Sequence, residues 1–439
     1  MVTKSRAQAR WSALSFVVLG ILASLAPIGA AAQSLAQAPP QSPSARVTLD
    51  QAIDLALKHN HSLLAARTMI SQNQAQEITA NLRPNPVGLI DEQYLPFFSP
   101  SAFTHDYVDT SAVFDLGFSY LIERGKKRQR RLEAARDQTS VTTATVTDDE
   151  RALTANVAQQ FIGALLAKAN LDLAQQNLTS FQQTVEISQS KFQAGAMSEG
   201  DLLKIKLQLL QFQMDLSAAK LARVQALASL RQLIGFDAVP ENYEVDGDLS
   251  YESLHLNLDD LKMLALRTRP DLRAAVLGVK AAQSQYTLAK ANGKQDLGVT
   301  FTYNHLGGVS TGSLFFNMQI PIFDHNQGEI ARTRYAITQS QELSSEQASI
   351  ALTDVANSYE SFHTSDEVVQ LYQSGYLKQA EDSRDISQYA YQRGAASLLD
   401  YLDAERSYRS IELAYRLALA SYMSSLEQLR QAVGTRSLQ

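Results

Sequence analysis

The chain has 439 residues, 45 acidic side chains against 39 Lys and Arg for a formal net charge of -6, and no cysteine. The missing cysteine excludes disulfides, thiolate metal sites, cysteine nucleophiles and lipidation at a cleaved N-terminal cysteine. The acidic balance argues against nucleic acid as a partner.

Residues 1–32 read as a secretory signal. Lys4, Arg6 and Arg10 precede an apolar run from Leu14 to Leu25, and Ala30-Ala31-Ala32 provides the small residues for a cut after Ala32. That run is too short to span a bilayer. Losing its three basic residues takes the formal charge from -6 to -9. Residues 33–46 hold Pro39, Pro40 and Pro43 and read as a flexible lead-in.

A helix is expected from Val47 to Leu82, with Leu49, Ile53, Ala56 and Leu57 on one stripe, closed by Arg83-Pro84-Asn85-Pro86. Strands are expected near 87–95 and 112–121. A long helix follows from about Arg128 to Gln193, then a turn at 195–200 and a helix to Leu233. Residues 236–257, with Pro240 and acidic residues, form an irregular connector between two units. The order then repeats over 258–434: a helix to about 291, strands near 297–305 and 313–322, and a long helix from Gln327 to Tyr391. A turn at 392–397, a last helix and a tail at 435–439 complete the chain. At about 1.5 Å per residue each long helix reaches roughly 100 Å.

The repetition extends to residues. Shifting by 199 lays Phe192-Gln193-x-Gly195-Ala196 on Tyr391-Gln392-x-Gly394-Ala395, Asp201 on Asp400, and Leu230-Arg231-Gln232 on Leu429-Arg430-Gln431. Near the start of each half, Leu49-Asp50 and Ala56-Leu57 match Leu258-Asp259 and Ala265-Leu266. The chain therefore reads as a duplicated helix–strand–strand–helix–helix unit, spanning 47–235 and 258–434. Tyr408, Tyr415, Tyr422 and Leu429 stand seven apart, as coiled-coil seams do, and specify packing rather than a ligand site.

The strands carry the functional argument. Leu297, Val299, Phe301 and Tyr303 alternate with Gly298, Thr300 and Thr302, and Phe114, Leu116, Phe118 and Tyr120 with Asp115, Gly117 and Ser119. Such segments, apolar outward and polar inward, mark a membrane-spanning β-barrel with a wet interior. The run 87–95 fits less well, because Asp91 and Glu92 fall on opposite faces. Four strands cannot close a barrel, and open edges are not tolerated in lipid. Several chains must then contribute, and three would give twelve strands.

Taken together, Leu49-Asp50-x-Ala52-Ile53, Arg83-Pro84-Asn85-Pro86, Pro321-Ile322-Phe323-Asp324-His325-Asn326-Gln327-Gly328 and Tyr391-x2-Gly394-x5-Asp400-x-Leu402-Asp403-Ala404 resemble the TolC-type outer-membrane efflux family. The resemblance implies a mainly α fold: a homotrimer with a twelve-stranded barrel in the outer membrane and a long helical barrel across the periplasm. It implies partners too, a periplasmic adaptor (membrane fusion protein) and an inner-membrane pump. The Phe-Asp-His-Asn-Gln-Gly stretch looks like the subgroup paired with heavy-metal pumps of the RND type.

For sites, the resemblance makes the tip turns, with Phe192, Gly195, Asp201, Tyr391 and Gly394, the adaptor-docking end. It makes Asp400 and Asp403 the pore constriction, two acidic rings one helical turn apart. Asp201 and Asp400 also stand where a carboxylate favours a helix dipole, whatever else they do. An arginine that latches the entrance in family members has Ala396 in its place. No His-x3-His spacing or catalytic constellation is present, so no enzyme, cofactor or metal site is expected. Arg124 to Arg131 holds six basic residues in eight. A solvated junction, a pore mouth and a headgroup contact all fit it. The expected function is a passive exit duct of a tripartite efflux system. A soluble periplasmic coiled-coil scaffold and a type I protein-secretion duct are the alternatives.

Overall fold

The computed structural model describes residues 45–438. The expected signal segment and the lead-in up to residue 44 lie outside the described residues. In chain order the elements begin with β1 (Arg46–Val47), α1 (Leu49–His59), α2 (His61–Ala80), β2 (Val87–Gln93), α3 (His105–Thr110) and β3 (Val113–Ile122). There follow α4 (Lys127–Gln193), α5 (Glu199–Ile234), β4 (Glu244–Val245), α6 (Leu258–Thr268), α7 (Pro270–Asn292), β5 (Leu297–Leu306) and β6 (Val309–Asn317). The chain closes with α8 (Gln327–Leu371), α9 (Leu377–Gln392) and α10 (Leu398–Val433). The fold is mainly helical.

The helix expected over 47–82 is two helices. Thr48 starts α1 with a capping box to Gln51, and Asn60 then takes an extended backbone and ends it. The Asn60 carboxamide oxygen accepts from the Leu63 N–H at 3.1 Å to start α2, and its Nδ2 donates to the Leu233 carbonyl at 2.9 Å. One buried side chain thus caps one helix and ties the break to the end of α5. The helix expected over 258–291 breaks likewise. Pro270 forces Arg269 into extended geometry, and the buried Arg269 guanidinium donates to the Ala432 carbonyl at 3.0 Å, at the end of α10. Asp271 and Asp354 hold the same guanidinium at 2.5 and 3.1 Å. A buried cation needs such pairing to be tolerated.

A third difference lies in the second long helix. Residues 327–391 are expected as one rod, but a π-helical turn at 372–376 separates α8 from α9, with Gly375 at φ 128°. Only glycine enters that region at little cost.

Four of the strands form an antiparallel sheet in the order β2-β3-β5-β6, and β1 and β4 pair in parallel as a separate two-stranded sheet. Gly307 and Gly308, at φ 59° and 73°, make the two-residue turn of the β5–β6 hairpin. The register puts Phe118 opposite Phe301, Leu116 opposite Tyr303 and Phe301 opposite Leu314, all on one face. The other face carries the polar pairs, together with Phe315 opposite Thr300. Asn304 donates to Asp115 at 2.5 Å and Thr300 to Ser119 at 3.0 Å. The strand expected over 313–322 stops at Asn317, which pairs with Gly298. β5 begins at Leu297, so residues 318–322 pair with no strand among the described residues.

The helical core falls into three clusters. One gathers Ala52, Ile53 and Ala56 against Val157, Phe161 and Leu230. A second gathers Leu261 and Ala265 against Val355, Phe362, Tyr422 and Leu429. The third lies toward the two helical turns. Burial of each large side chain in them contributes about 1.5–3 kcal/mol.

Candidate functional site

Two helical hairpins, α4–α5 and α9–α10, end side by side. Each turn is built the same way. The helix ends in a glycine at positive φ, 75° at Gly195 and 76° at Gly394. A serine then caps the next helix. Ser198 Oγ accepts from the Asp201 N–H at 3.1 Å, and Ser397 Oγ from the Asp400 N–H at 3.2 Å. Each aspartate accepts from its serine hydroxyl in return, at 2.8 and 2.7 Å. Both carboxylates are thus fixed at helix N-termini, where backbone N–H groups favour negative charge.

The same contacts move both titrations. The Lys204 ammonium, 3.0 Å away, and the Ser198 hydroxyl lower the pKa of Asp201. Hydrogen bonds from the hydroxyl and backbone N–H of Ser397 lower that of Asp400. Asp400 therefore keeps its charge where an ordinary aspartate begins to protonate. Asp403, one helical turn further along α10, is exposed.

The two aromatic residues paired by the repeat do different things. Tyr391 is buried and stacks on Tyr401, with ring centroids 5.5 Å apart and planes 7° apart. Its hydroxyl lies 3.4 Å from Ser188 Oγ, and that of Tyr401 lies 3.3 Å from Thr184 Oγ1. Burial pushes the Tyr401 phenol up to about 12. Lys191 donates to the Tyr391 and Gln392 carbonyls at 3.2 and 3.0 Å, binding the end of α4 to the end of α9. Phe192, by contrast, is exposed. Of the seven expected site residues, only Tyr391 enters the core between the hairpins. Gly195 and Gly394 shape the turns, Asp201 and Asp400 cap, and Phe192 and Asp403 face outward.

Sequence reasoning missed Ser198 and Ser397, although Ser-x-x-Asp before a helix is a capping signature. It also missed a charged cluster behind the tip. Arg409 bonds Asp215 at 3.0 Å and lies over the Phe212 ring, 4.3 Å from its centroid. Glu405 has its pKa raised by burial, despite the nearby Arg384 and Arg409. No spacing in the sequence announces that cluster. Among the described residues no three His, Asp or Glu side chains are gathered to hold a metal ion.

The sequence matches the outer membrane efflux protein family over residues 52–236 and again over 261–435, most of the chain. The chain belongs to that family. Members are transport ducts rather than enzymes. This outer membrane efflux protein is 24% identical to the cobalt-zinc-cadmium resistance protein CzcC of Cupriavidus metallidurans, over 91% of this chain and 94% of that one. It is 26% identical to the pyoverdine export outer membrane protein OpmQ of Pseudomonas putida, over 88% and 85%. The crystal structure of the Campylobacter jejuni CmeC outer membrane channel superposes with a TM-score of 0.73 at 19% identity, covering 89% of this chain and 86% of that one. That likeness establishes the fold.

Proposed function

We propose that this chain is one third of a passive export duct. Three copies close a twelve-stranded wall in the outer membrane and a helical barrel on its periplasmic side. Residues 47–235 and 258–434 act as the two duplicated units, with 236–257 as an equatorial connector. The observation that carries the reading is the two-faced sheet with two unpaired edges. Phe118, Phe301, Leu314 and Phe316 expose apolar side chains on one face, while Asp115, Asn304 and Thr300 line the other. Among the described residues β2 and β6 each have one neighbour only. In hydrocarbon each unpaired backbone group costs several kcal/mol, so such edges are short by roughly 10 kcal/mol or more until another strand covers them. Pairing β6 of one copy with β2 of the next supplies that strand.

On this reading the tips, with Phe192, Gly195, Asp201, Tyr391 and Gly394, meet a periplasmic adaptor, and an inner-membrane pump supplies the energy. The exposed Phe192 suits docking. Asp400 and Asp403, three copies of each, form two acidic rings that favour cations. The relatives' names span metal resistance and pyoverdine export, so heavy-metal ions and small organic compounds are the proposed cargo classes, driven by an RND-type pump. With Ala396 in place of an arginine, closure rests on other contacts at the tip.

Two measurements test this. Overexpressed full-length protein is expected to sediment with outer membrane, to resist high-salt extraction, and to run as a trimer in mild detergent. A monomer that stays soluble without detergent ends the proposal and leaves the periplasmic scaffold. In planar bilayers, Asp403→Asn together with Asp400→Asn is expected to shift the reversal potential toward non-selectivity. Asp403→Asn alone gives part of that shift without touching the Ser397 cap. A reversal potential that stays put in both removes these residues from the filter.

A further inference from the structure

We propose that the joint between β3 and α4 binds the phosphate-bearing headgroup of an anionic lipid in the leaflet nearest the helices. The proposal rests on the reading that the sheet is a membrane wall. Six basic residues crowd positions 124–131, and the structure divides them. Lys127 is held by Asp296 at 2.7 Å, Arg130 by Glu133 at 2.6 Å, and Arg131 by Glu123. Those three have structural work, and Arg124 turns its guanidinium to the Met318 sulfur, 3.4 Å away. Lys126 and Arg128 have no carboxylate partner among the described residues, and neither has Arg83 from the segment leading into β2. These three cations line one cavity of about 400 Å³. The only carboxylate lining it is that of Glu123, already engaged by Arg131.

The rest of the lining indicates what kind of anion fits. Tyr120, Leu121 and Ile122 form an apolar side of the cavity. Tyr120 and Ile122 continue the apolar face of the sheet that carries Phe118 and Leu116. Excess positive charge beside an apolar wall suits an amphiphile better than a free ion, because phosphate and acyl chain are satisfied together. Juxtamembrane Lys and Arg attract anionic lipid in this way.

The matching joint in the other half lacks these features. There the left-handed residue is Asn326, at φ 64°, where this joint has Lys126 at φ 59°. Asparagine tolerates that region better than lysine. The second joint carries Asp324 and Glu329, and its nearest arginine, Arg332, is held by Glu329 at 2.6 Å. Turn geometry alone therefore does not require the cations; they belong to this joint.

The test uses the full chain in neutral detergent, with native mass spectrometry after adding equimolar phosphatidylglycerol and phosphatidylcholine. Wild type is expected to retain phosphatidylglycerol selectively. Arg83→Gln, Lys126→Gln and Arg128→Gln combined should weaken that retention on the order of tenfold or more. The charge-matched control, Lys58→Gln with Lys220→Gln and Arg273→Gln, should retain it, as should Arg83→Lys with Arg128→Lys. Millimolar inorganic phosphate should not displace the lipid. If the triple variant does not fold, the three single exchanges carry the test, each with a several-fold loss. Equal retention in wild type and the glutamine variants overturns the proposal. So does an equal loss in the control, or displacement by phosphate alone. Reconstitution of wild type into nanodiscs separates the two readings. Failure to enter any bilayer ends the membrane wall and this site with it, whereas entry without preference for phosphatidylglycerol ends this site only.

Discussion

Proline at Gly195 and Gly394 together is expected to abolish export while leaving the amount of trimer in the outer membrane unchanged. The reason is local. Both glycines sit at φ near +75°, and proline is locked near -65°. Each glycine N–H also closes its turn, to the Phe192 carbonyl at 2.9 Å and the Tyr391 carbonyl at 3.1 Å, and proline removes that donor. The turns must therefore rebuild, and with them the Ser198 and Ser397 caps three residues on. The contact of Lys191 with the Tyr391 and Gln392 carbonyls is lost as well. The damage stays at the tip, because the sheet and the other two core clusters lie elsewhere along the helices.

Alanine at the same positions separates backbone from bulk. A Cβ at either glycine meets no heavy atom within 4 Å, so the cost is conformational only, about 1–2 kcal/mol per site. Alanine variants should then export, with a lowered melting temperature. Export can be read as resistance or efflux in cells that lack other ducts. Unchanged export by the double proline variant would remove the tips from docking. Loss of outer-membrane protein would mean that proline had disturbed assembly instead.

Much of this architecture was legible in the residues, for a physical reason. Period-two alternation in Leu297–Tyr303 and Phe114–Tyr120 is a direct consequence of strand geometry, and seven-residue spacing in Tyr408–Leu429 is one of helix geometry. Both survive in a single sequence. The breaks in the helices were less legible. Asn60 ends α1 through a bond to Leu233, 173 positions away, and no local pattern reveals a partner that distant. Pro270 was a visible signal for the second break, since it opens α7 from inside the run expected as one helix. Gly375 was visible too, but a glycine inside a long helical run does not announce a π-turn. At the tip the glycines and aspartates were legible because the chain repeats them. That Tyr391 is buried and Phe192 exposed was not, since that depends on which hairpin packs against which.

Glutamate at Leu207, Leu210 and Met214 is expected to abolish the trimer while each chain stays helical. In α5, Leu203, Leu207, Leu210, Met214, Leu221 and Val224 are all exposed, between 52% and 68%. Their spacing of four, three, four, seven and three residues leaves a gap only at Ser217, and it is the a/d pattern of a helical seam. The opposite side of the same helix is already satisfied. Ile205, Phe212 and Leu216 are buried against α4, with Phe212 stacked on Phe181 at 4.5 Å. A helix with two apolar faces needs both covered, and among the described residues only one is.

A second copy can supply the other. Val368 and Leu371 on α8, with Ile386 and Tyr389 on α9, are likewise exposed. They make a second apolar strip on the other hairpin, as a ring of alternating hairpins requires. Burying three large side chains per seam contributes about 1.5–3 kcal/mol each, and placing carboxylates there adds a desolvation cost. With three seams in a closed ring that loss is repeated three times. Within one chain these positions are more than half exposed, so circular dichroism of the variant should keep its helical signal. Analytical ultracentrifugation in detergent reads the result. A trimer that persists in the triple glutamate variant would show that α5 faces something other than a neighbouring copy, and the helical barrel would need a different seam.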